Sequence, residues 1–579
     1  MGFVSITALG RPNGVLVRSS RRCWTRLVPG RRCARRRPTA ALRVRLATAP
    51  ASGSARAGTA KADSSSGDAP RITPRSQSYA QWYLDVIAAA QLADTSPVKG
   101  ALVIRPTGWA IWERLRDELD RRIKATGAQN ACFPLFIPQS FLSREAEHVD
   151  GFAKECALVT HHRLRAVTAA DGKSRLEPDP DARLEEALVV RPTSETLIWH
   201  MFGRWIQSYR DLPLLVNQWG NAVRWELRTR PFLRTSEFYW QEGHTAHATR
   251  EEAMDKAREM LEVYRGLLEQ WLAIPVVAGF KTASERFAGA EETLTVEAMM
   301  QNGWALQCGT SHFLGQNFAR AFNVYYQTEE AGTRELVWAT SWGASTRLLG
   351  ALIMVHSDDT GLVLPPRVAP TQVVLVPILP KEEAERQEVR AFCESLLGRL
   401  RGHGLRVEMD RRETLRPGAK FFDWERRGVP LRLEVGKRDV ANKGVMCARR
   451  VDGQKMALPV DGLEARLEDM LEEVQEGMLE RAQRFVQQHW HRVEQYAEMR
   501  ERLRGRKAEE AEDGEVEGNM GGFFLAPWRD SVENEARIKE ECKATIRCYP
   551  DGWQQEAGGK RCFYSGEMAT HMALFARAY

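Results

Sequence analysis

At 579 residues the chain is too long for a single hydrophobic core, and at about 150 residues a domain it should form two to four domains. The apolar share of 43% and the charged share of 27% are typical of soluble globular proteins. No run approaches the ~18 apolar residues that a membrane helix needs, so we expect no membrane association. The ten cysteines form no C-x-x-C pair, which fits a reducing compartment better than a disulfide framework.

The net charge of +7 is concentrated at the N-terminus. Residues 1–62 hold thirteen arginines and Lys61, and the first acidic residue is Asp63. Without these fourteen basic residues the chain has 69 basic against 76 acidic residues, so a polyanion must bind a local basic surface. A leader rich in Arg, Ser and Ala and poor in acid is typical of organelle transit peptides; a disordered RNA-binding arm is the alternative. We predict a transit peptide and disordered leader over residues 1–70, and a plastid or mitochondrial location.

The next segment begins with an amphipathic helix. Apolar residues recur at three- and four-residue spacing between Gly108 and Gly127, and Gly127 stands where a helix C-terminus favours glycine. Residues 131–138 then predict a buried strand. Residues 161–186 are polar and interrupted by prolines, which predicts a surface insertion.

Two extended segments joined by an Arg-rich loop follow between residues 212 and 247. On a strand, Arg224 and Glu226 would share one face, because successive side chains alternate. The returning strand would likewise place four side chains on one face: Phe238, Trp240, Glu242 and His244. A cation, two carboxylates and two aromatic rings on one surface suit a nucleotide. A solvated strand face is the alternative.

The segment after residue 250 predicts a helix over 251–271, and a strand near Leu336 leads into an apolar helix over 348–355. Arg347 stands at the start of that helix, where its charge opposes the helix dipole. A cation there costs stability unless an anion is bound, so the position predicts a phosphate contact. An arginine paired with a nearby acid is the alternative.

Strands and helices alternate after the Pro365-Pro366 break. They are predicted over 371–379 (strand), 381–401 (helix), 405–409 (strand), 421–427 (helix) and 431–435 (strand). This alternation indicates a small α/β domain. Residues 466–506 predict one long charged helix, residues 509–522 a loop or linker, and the remainder a short terminal module.

These segments resemble the three signature motifs of class II aminoacyl-tRNA synthetases. The helix and strand ending at Pro134 resemble motif 1, the family's dimer element. Residues 223–226 (VRWE) with 234–238 (RTSEF) resemble motif 2, and residues 343–351 (GASTRLLGA) resemble motif 3. The resemblance implies an α+β catalytic domain on an antiparallel sheet, followed by an α/β anticodon-binding domain and a small α+β C-terminal domain.

Further strings resemble prolyl-tRNA synthetases within that class. They are RPTSET at 191–196, WQEGHTAH at 240–247, GTSHFLGQN at 309–317 and GLVLPP at 361–366. The resemblance covers about residues 76–579 apart from the insertion. It implies ATP-dependent attachment of L-proline to tRNA(Pro) in two steps through a prolyl-adenylate, with ATP and Mg²⁺ as the substrate complex. It also implies a homodimer.

The resemblance implies roles for individual residues. The catalytic residues would be Arg224, on the α-phosphate and the substrate carboxylate, and Arg347, on the γ-phosphate. The ATP-binding residues would be Arg224, Glu226, Thr235, Phe238, Gln307, Thr310, Ser345 and Arg347. The proline-binding residues would be Thr193, Glu195, Arg224, Trp240, Glu242 and His312. The alternatives are structural roles. Trp240 and His312 could pack in the core, and Thr193 and Glu195 could cap a helix.

The segment after residue 371 resembles the class IIa anticodon-binding domain. RPGAKFFDWE at 416–425 and GVPLRLEVGKRD at 428–439 carry this likeness. Single-stranded RNA bases stack on aromatic rings and bond at their edges. The implied anticodon-binding residues are Arg416, Lys420, Phe421, Trp424 and Arg438. The alternative for the aromatic residues is the domain's own core.

Two departures from the family pattern refine these expectations. The segment between Phe238 and Arg347 is too short for the editing insertion of many bacterial members, so we expect no editing in cis. With its C-terminal module, the layout resembles the eukaryote- and archaeon-like branch. Some relatives bind zinc there through four cysteines, but this chain offers only Cys542, Cys548 and Cys562, with His571 as a conceivable fourth ligand. We expect no zinc and assign no metal ligand.

The expected domains are 1–70 (leader), 71–366 (catalytic), 367–465 (anticodon-binding) and 466–579 (long helix and C-terminal domain). Two rival functions are considered. A catalytically dead, synthetase-like RNA-binding protein would be expected to lose Arg224, Phe238 or Arg347, and all three are present. A sister class IIa synthetase for threonine or serine would need a hydroxyl partner or a metal in its pocket, and one for glycine is a further alternative.

Overall fold

The computed structural model describes residues 71–142, 155–330, 332–504 and 521–579. The predicted leader over residues 1–70 and most of the predicted linker over 509–522 lie outside these residues. Across the described ranges, no helix combines the length and the apolar character that crossing a bilayer requires.

The catalytic domain combines a large sheet with flanking helices. Its strands are β1 (Ala93–Thr95), β2 (Leu102–Ile104), β3 (Gln129–Ala131), β4 (Phe136–Pro138), β5 (Ala157–His161), β6 (Leu164–Thr168), β7 (Ser174–Pro178), β8 (Arg183–Val190), β9 (Leu214–Val223), β10 (Glu237–His247), β11 (Val276–Phe280), β12 (Glu292–Met299), β13 (Ala305–Gly315), β14 (Tyr325–Gln327), β15 (Arg334–Leu336) and β16 (Trp338–Ser345). Its helices are α1 (Tyr79–Ala89), α2 (Pro106–Ala125), α3 (Gln139–Leu142), α4 (Glu195–Trp205), α5 (Arg250–Gly266), α6 (Asn317–Phe322) and α7 (Arg347–His356).

Seven strands of this domain lie side by side in the order β11-β12-β13-β16-β10-β9-β3. Each neighbouring pair is antiparallel except β3 with β9, which is parallel. The predicted pair of extended segments is confirmed as β9 and β10. In this register Glu242 of β10 lies opposite Gln218 of β9 and, on its other side, opposite Gly343 of β16. Motifs 2 and 3 are therefore adjacent in the sheet.

Two sequence predictions in this region are wrong. The strand expected over 131–138 is split into β3 and β4, which belong to different sheets; Pro134 lies between them, and proline cannot donate to a strand ladder. Arg224 and Glu226 do not lie on a strand, because β9 ends at Val223. There the chain leaves the hairpin, and the Trp225 N–H donates to the Glu155 carbonyl instead.

The helix predictions hold where the pattern is strongest. Helix α2 begins with Pro106, whose missing N–H is not needed at a first position, and Gly127 follows with a φ of +88°. Helix α5 continues into a π-helical turn over Leu267–Trp271, which confirms the helix expected over 251–271. Helix α7 begins at Arg347, as the pattern indicated. Residues of α1, α2, α5 and α7 share one hydrophobic core, and those of α4 and α6 contribute to a second.

The predicted surface insertion is a β-hairpin. Strands β6 and β7 pair antiparallel, and nearly all their residues are exposed. The hairpin lies between β5 and β8 in the chain. These two strands form a small separate sheet with β4.

The anticodon-binding domain has the predicted alternation. Its elements are β17 (Val373–Pro377), α8 (Glu383–Gly402), β18 (Val407–Met409), α9 (Pro417–Arg426), β19 (Leu431–Val435), α10 (Lys437–Ala441), β20 (Gly444–Arg449) and β21 (Lys455–Pro459). The sheet order is β18-β17-β19-β20-β21, with β17 parallel to both neighbours and the remaining pairs antiparallel.

The C-terminal part contains α11 (Leu463–Gln488), β22 (Trp490–Arg492), α12 (Tyr496–Leu503), β23 (Phe523–Trp528), α13 (Val532–Cys542), β24 (Thr545–Pro550) and β25 (His571–Ala576). The single helix expected over 466–506 is therefore wrong: it ends at Gln488. Trp490 pairs in parallel with Phe523, so a tertiary strand pairing replaces the helix that local sequence favours.

The C-terminal strands extend the catalytic sheet. Strand β24 pairs with β11, with Gly279 opposite Pro550 and Phe280 opposite Tyr549, and the combined sheet has eleven strands. A Cβ on Gly279 would lie 2.3 Å from the Tyr549 carbonyl oxygen, so this junction requires glycine. The predicted fold class is confirmed: an α+β catalytic domain on an antiparallel sheet, an α/β anticodon-binding domain and a small α+β C-terminal domain.

Candidate active site

A cleft of about 410 Å³ lies over β10, β13 and β16. It is lined by every residue that the sequence predicted for ATP or proline: Thr193, Glu195, Arg224, Glu226, Thr235, Phe238, Trp240, Glu242, Gln307, Thr310, His312, Ser345 and Arg347. The predicted common face of Phe238, Trp240, Glu242 and His244 on β10 is also confirmed, since all four side chains line the cleft.

Two partly buried arginines, Arg224 and Arg347, line the cleft. Arg224 donates from Nε to the Pro192 carbonyl at 3.0 Å, and its Cζ lies 5.4 Å from the Phe238 ring and 5.5 Å from the Trp240 ring. Arg347 donates from Nε to the Leu233 carbonyl at 3.2 Å and from Nη1 to the Gln307 carbonyl at 3.4 Å. Backbone carbonyls thus orient the Arg347 head group without neutralising its charge.

Burial lowers the pKa of both arginines, although the charges of Glu195, Glu155 and Glu242 act in the opposite direction on Arg224. For Arg347 the positive charges of Arg224 and Arg234 lower the pKa further. Several cations held together away from water repel one another, and a bound anion removes this cost. The electrostatics therefore favour a polyphosphate beside Arg347.

The residues expected around the nucleotide line the cleft together with Phe238. The Phe238 and Trp240 rings pack edge to face at 5.7 Å. Glu226 forms an ion pair with Arg234 at 3.2 Å, at the rim of the cleft. Ser345 Oγ accepts from the Arg347 N–H at 3.2 Å, and Gln307 donates weakly to Thr295 Oγ1 at 3.4 Å. The Thr235 hydroxyl donates to the nearby Glu237 carbonyl at 2.7 Å.

A buried carboxylate, Glu242, also lines the cleft. Its oxygens accept from the Ser194 hydroxyl at 2.5 Å, the Ser194 N–H at 3.2 Å and Gln218 Nε2 at 2.7 Å. These donors fix the carboxylate in place. Ser194 is the N-cap of α4 but makes no side-chain cap, because its hydroxyl is bonded to Glu242.

Thr193 and Glu195 lie beside Glu242. Helix α4 begins at Glu195, and the Thr193 hydroxyl donates to the Glu195 carboxylate in a short hydrogen bond. The side chains are 2% and 4% exposed. Since the helix N-terminus is not capped by a side chain, the capping alternative does not account for this pair. A hydroxyl and two carboxylates suit a ligand with a protonated amine or imine.

His312 is neutral at physiological pH. Burial lowers its pKa to about 4, with Glu195 acting in the opposite direction and His244 in the same one. Its Nδ1 lies 2.9 Å from Thr293 Oγ1, and the Phe287 ring packs on it at 4.6 Å. The imidazole therefore serves as a flat wall of the cleft rather than as a cation.

Within the described residues, Glu195, Glu242 and His244 are the one group of side chains close enough to share a cation. Donors from Ser194 and Gln218 already occupy Glu242. The group therefore fits a small organic cation that needs a few acceptors better than a metal ion that needs a full ligand set.

Several cleft residues were missed from the sequence. They are Glu155, Arg234, Glu285, Arg286, Phe287, Thr293 and Cys308. The alternation of polar residues on β12, with Thr293, Thr295 and Glu297 two apart, was a usable signal for Thr293. Glu285, Arg286 and Phe287 lie in a loop whose position depends on the fold, and no local pattern marks them.

The predicted anticodon-binding residues are not brought together as one surface. Arg416 and Arg438 are exposed, and Phe421 is partly buried with the Arg432 Cζ 4.5 Å from its ring. Trp424 is 8% exposed and donates from its indole to Asp410 at 2.8 Å, and Lys420 is 3% exposed and 3.9 Å from the same carboxylate. The core alternative therefore fits Trp424, and Lys420 shares its buried position.

The three C-terminal cysteines are free thiols in apolar surroundings. Cys542 and Cys562 belong to one hydrophobic core and Cys548 to another. The His571 ring stacks on Tyr549 at 4.2 Å.

Comparisons with known proteins agree with this geometry. The family described as tRNA synthetase class II core domain (G, H, P, S and T) matches residues 176–356, the anticodon binding domain matches 372–470, and the family described as prolyl-tRNA synthetase, C-terminal matches 515–579. The chain is 52% identical over 508 residues to a proline–tRNA ligase of Porphyromonas gingivalis, covering 88% of this chain and 99% of that protein.

Two other relatives carry the same name. Those from Phocaeicola vulgatus (50% over 509 residues) and Bacteroides fragilis (52% over 513 residues) are covered to 99%, again by 88% of this chain. These relatives are bacterial, so they give no support to the expected organellar, eukaryote- and archaeon-like origin. The identity over nearly their whole length is decisive for the family: the chain belongs to the prolyl-tRNA synthetases of class II.

Proposed function

We propose that the chain attaches L-proline to tRNA(Pro) at the expense of ATP, through a prolyl-adenylate. The observation that carries this proposal is the cleft that brings the partly buried Arg224 and Arg347 together with the Glu195, Glu242 and His244 group. The relatives' name supports the same reaction.

The reaction follows from the placement of charge. A proline carboxylate oxygen attacks the α-phosphorus of ATP, the bond to the bridging oxygen breaks, and pyrophosphate leaves. Arg224 stabilises the charge on the α-phosphate, Arg347 holds the γ-phosphate, and Mg²⁺ enters with ATP as part of the substrate. Such transfers need positioning and charge neutralisation rather than a protein nucleophile. We assign no general base.

The second step releases AMP. A hydroxyl of the tRNA 3′-terminal ribose attacks the carbonyl carbon of the prolyl-adenylate, and the bond to the adenylate oxygen breaks. The secondary amine of proline, protonated at neutral pH, would lie among Thr193, Glu195 and Glu242, with the pyrrolidine ring between Trp240 and the neutral His312. Neutral His312 avoids repulsion with that cation.

Amino-acid-dependent ATP–pyrophosphate exchange tests this function. All twenty amino acids are supplied to the wild-type chain and to Arg224→Ala. Exchange with proline that is lost in the variant supports the proposal. Exchange led by threonine, serine or glycine would identify a sister synthetase. No exchange from folded protein that binds tRNA would favour the RNA-binding alternative.

We further propose an organellar enzyme without editing in cis, acting as a homodimer and without zinc. The leader composition supports a plastid or mitochondrial address, which a fusion of residues 1–70 to a fluorescent protein tests. The segment from Phe238 to Arg347 is filled by β10–β16, α5 and α6 of the catalytic domain, apart from residue 331, which is not described. Alanyl-tRNA(Pro) should therefore stay intact when incubated with the chain. The domain limits 71–366, 367–465 and 466–579 remain proposals that limited proteolysis can test.

A further inference from the structure

One wall of the cleft is a loop that the predicted motifs do not include. Lys281 and Thr282 begin it after β11, and Glu285, Arg286 and Phe287 line the cleft. Phe287 packs its ring on His312 at 4.6 Å, and its N–H donates to Thr293 Oγ1 at 3.2 Å. The loop therefore shapes the part of the cleft that would receive the proline ring.

The C-terminal domain holds this loop through one carboxylate. Glu535, in the first turn of α13, accepts from the Ser284 hydroxyl at 2.6 Å and from the Thr282 hydroxyl at 3.2 Å. Thr282 is the N-cap of the short 3₁₀ turn Ala283–Glu285 but makes no side-chain cap. Its hydroxyl is directed to the other domain, so this turn depends on Glu535 for its side-chain support.

A second contact fixes the start of the same loop. Glu297 of β12 is fully buried and accepts from Lys281 Nζ at 2.9 Å and from Arg547 of β24 at 3.0 and 3.1 Å. Burial alone would raise the pKa of the Glu297 carboxyl, but Arg547 and Lys281 outweigh it and lower that pKa. Both domains thus share one ion cluster directly before Thr282.

Burial of the Glu535 carboxylate carries a desolvation cost. It is 6% exposed, its bonds here are to neutral hydroxyls, and burial raises its pKa, with the Glu285 and Asp530 charges adding to the rise. A buried carboxylate bonded to neutral groups contributes little to folding. It does, however, fix the two hydroxyls that hold the loop.

We propose that Glu535 is a positioning residue for the proline site. Through Ser284 and Thr282 it holds the loop of residues 282–287, and therefore Phe287, against His312. The C-terminal domain thereby sets the affinity of the catalytic domain for its amino acid. This inference rests on the proposed function, because it concerns the same site.

Steady-state ATP–pyrophosphate exchange on the full chain tests the proposal. Loss of a hydrogen bond to a carboxylate should raise the KM for proline on the order of tenfold in both Glu535→Ala and Ser284→Ala. The kcat and the KM for ATP should stay within about twofold, because Arg224 and Arg347 are not touched. Glu535→Gln should restore the KM, since an amide can still bond both hydroxyls.

Two controls separate positioning from a general structural role. Glu533→Ala removes a carboxylate of the same helix that is 73% exposed, and it should leave all parameters unchanged. The double variant Glu535→Ala with Ser284→Ala should raise the KM for proline no more than one single variant does, because both remove the same contact.

The outcomes are distinct. A wild-type chain without proline-dependent exchange would remove the proposed function. With an active wild type, an unchanged KM for proline in Ser284→Ala would overturn the inference even if Glu535→Ala misfolds, since Ser284 lies on the loop and outside the C-terminal core. An equal increase in the KM for proline and in the KM for ATP would also overturn the inference. So would a failure of Glu535→Gln to restore the KM for proline.

Discussion

Arg450 of the anticodon-binding domain donates two hydrogen bonds to the Asp358 carboxylate of the catalytic domain, at 2.7 and 2.8 Å. Asp358 follows shortly after His356, the last residue of the helix that begins at Arg347 in the ATP site. Burial would raise the pKa of Asp358, but the Arg450 hydrogen bond and charge outweigh it and lower that pKa to about 2. One ion pair therefore connects the anticodon-binding domain to the motif 3 helix.

Asp358→Asn should lower the free energy of unfolding by roughly 1–2 kcal/mol at pH 7, after allowance for solvent screening of a side chain that is 35% exposed. The carboxyl pKa is depressed in the folded state, so its contribution is present above pH ~4 and is lost as the pH falls toward 2. Urea unfolding at pH 7 and at pH 3 measures both.

Asp359→Asn is the matched control, since the neighbouring carboxylate pairs with Arg75 where both side chains are more open to water. Its effect should stay below about 1 kcal/mol. Equal losses in the two variants would show that the Arg450 pair has no special role in holding the domains.

Arg347→Met should strongly slow proline activation while sparing the fold. Removing one charge that stabilises a transferring phosphoryl group costs on the order of 10²–10³ in kcat. Without ATP the variant should be at least as stable as the wild type, because a partly buried cation near two other arginines is gone. Thermal unfolding with and without ATP·Mg²⁺ measures this: ATP should raise the Tm of the wild type only. Arg334→Met, on exposed β15, serves as the control, and a Tm rise with ATP in Arg347→Met would contradict the assignment.

Site residues could be placed from the sequence where they follow the side-chain period of a strand or a helix. On β10 the alternation of strand side chains is enough to place Phe238, Trp240 and Glu242 on one face, and the structure agrees. Arg347 could likewise be placed at a helix start, since the apolar pattern after it is long. Arg224 reaches the same cleft although the strand expected beneath it ends at Val223.

The remainder depends on contacts between distant segments. Nothing near Phe287 shows that its ring will meet His312, because the two are brought together by the pairing of β12 with β13. The end of the long helix at Gln488 is set by β22 pairing with β23, again a distant partner. Aromatic residues of α9 could not be sorted into core and surface, because Phe421, Phe422 and Trp424 lie within four residues.

Stability should fall in mild acid because His247 and His356, which are buried, and His312, which is partly buried, are neutral in the folded chain. Burial lowers the pKa of His247 and His312 to about 4 and that of His356 to about 3. The unfolded chain binds these protons near pH 6.5 and the folded chain does not. The free energy of unfolding should therefore be level above pH ~7 and decrease from about 6.5 down to 4, by about 1.4 kcal/mol per pH unit for each histidine.

His356→Gln isolates one of these groups. Its Nε2 donates to the Leu272 carbonyl at 2.8 Å, and a glutamine amide can replace that donor without titrating. Between pH 4.5 and 6, the unfolding free energy of this variant should change less steeply with pH. The slope should be smaller by the contribution of one proton, about 1.4 kcal/mol per pH unit. An unchanged slope in His356→Gln would mean that His356 is protonated in the folded chain.

Two aromatic residues on α9 should separate folding from RNA binding. Trp424 donates to Asp410 in the domain core, so Trp424→Phe should cost about 1–2 kcal/mol of stability and leave the KM for tRNA within about twofold. Phe422 is 45% exposed, with the Arg426 Cζ 4.1 Å from its ring, and Phe422→Ala should raise the KM for tRNA on the order of tenfold without loss of stability. For each variant, aminoacylation kinetics give the KM for tRNA and urea unfolding gives the free energy of unfolding. A raised KM for tRNA in a fully stable Trp424→Phe would place the indole in contact with RNA after all, because a residue confined to the core can change binding only by changing the fold.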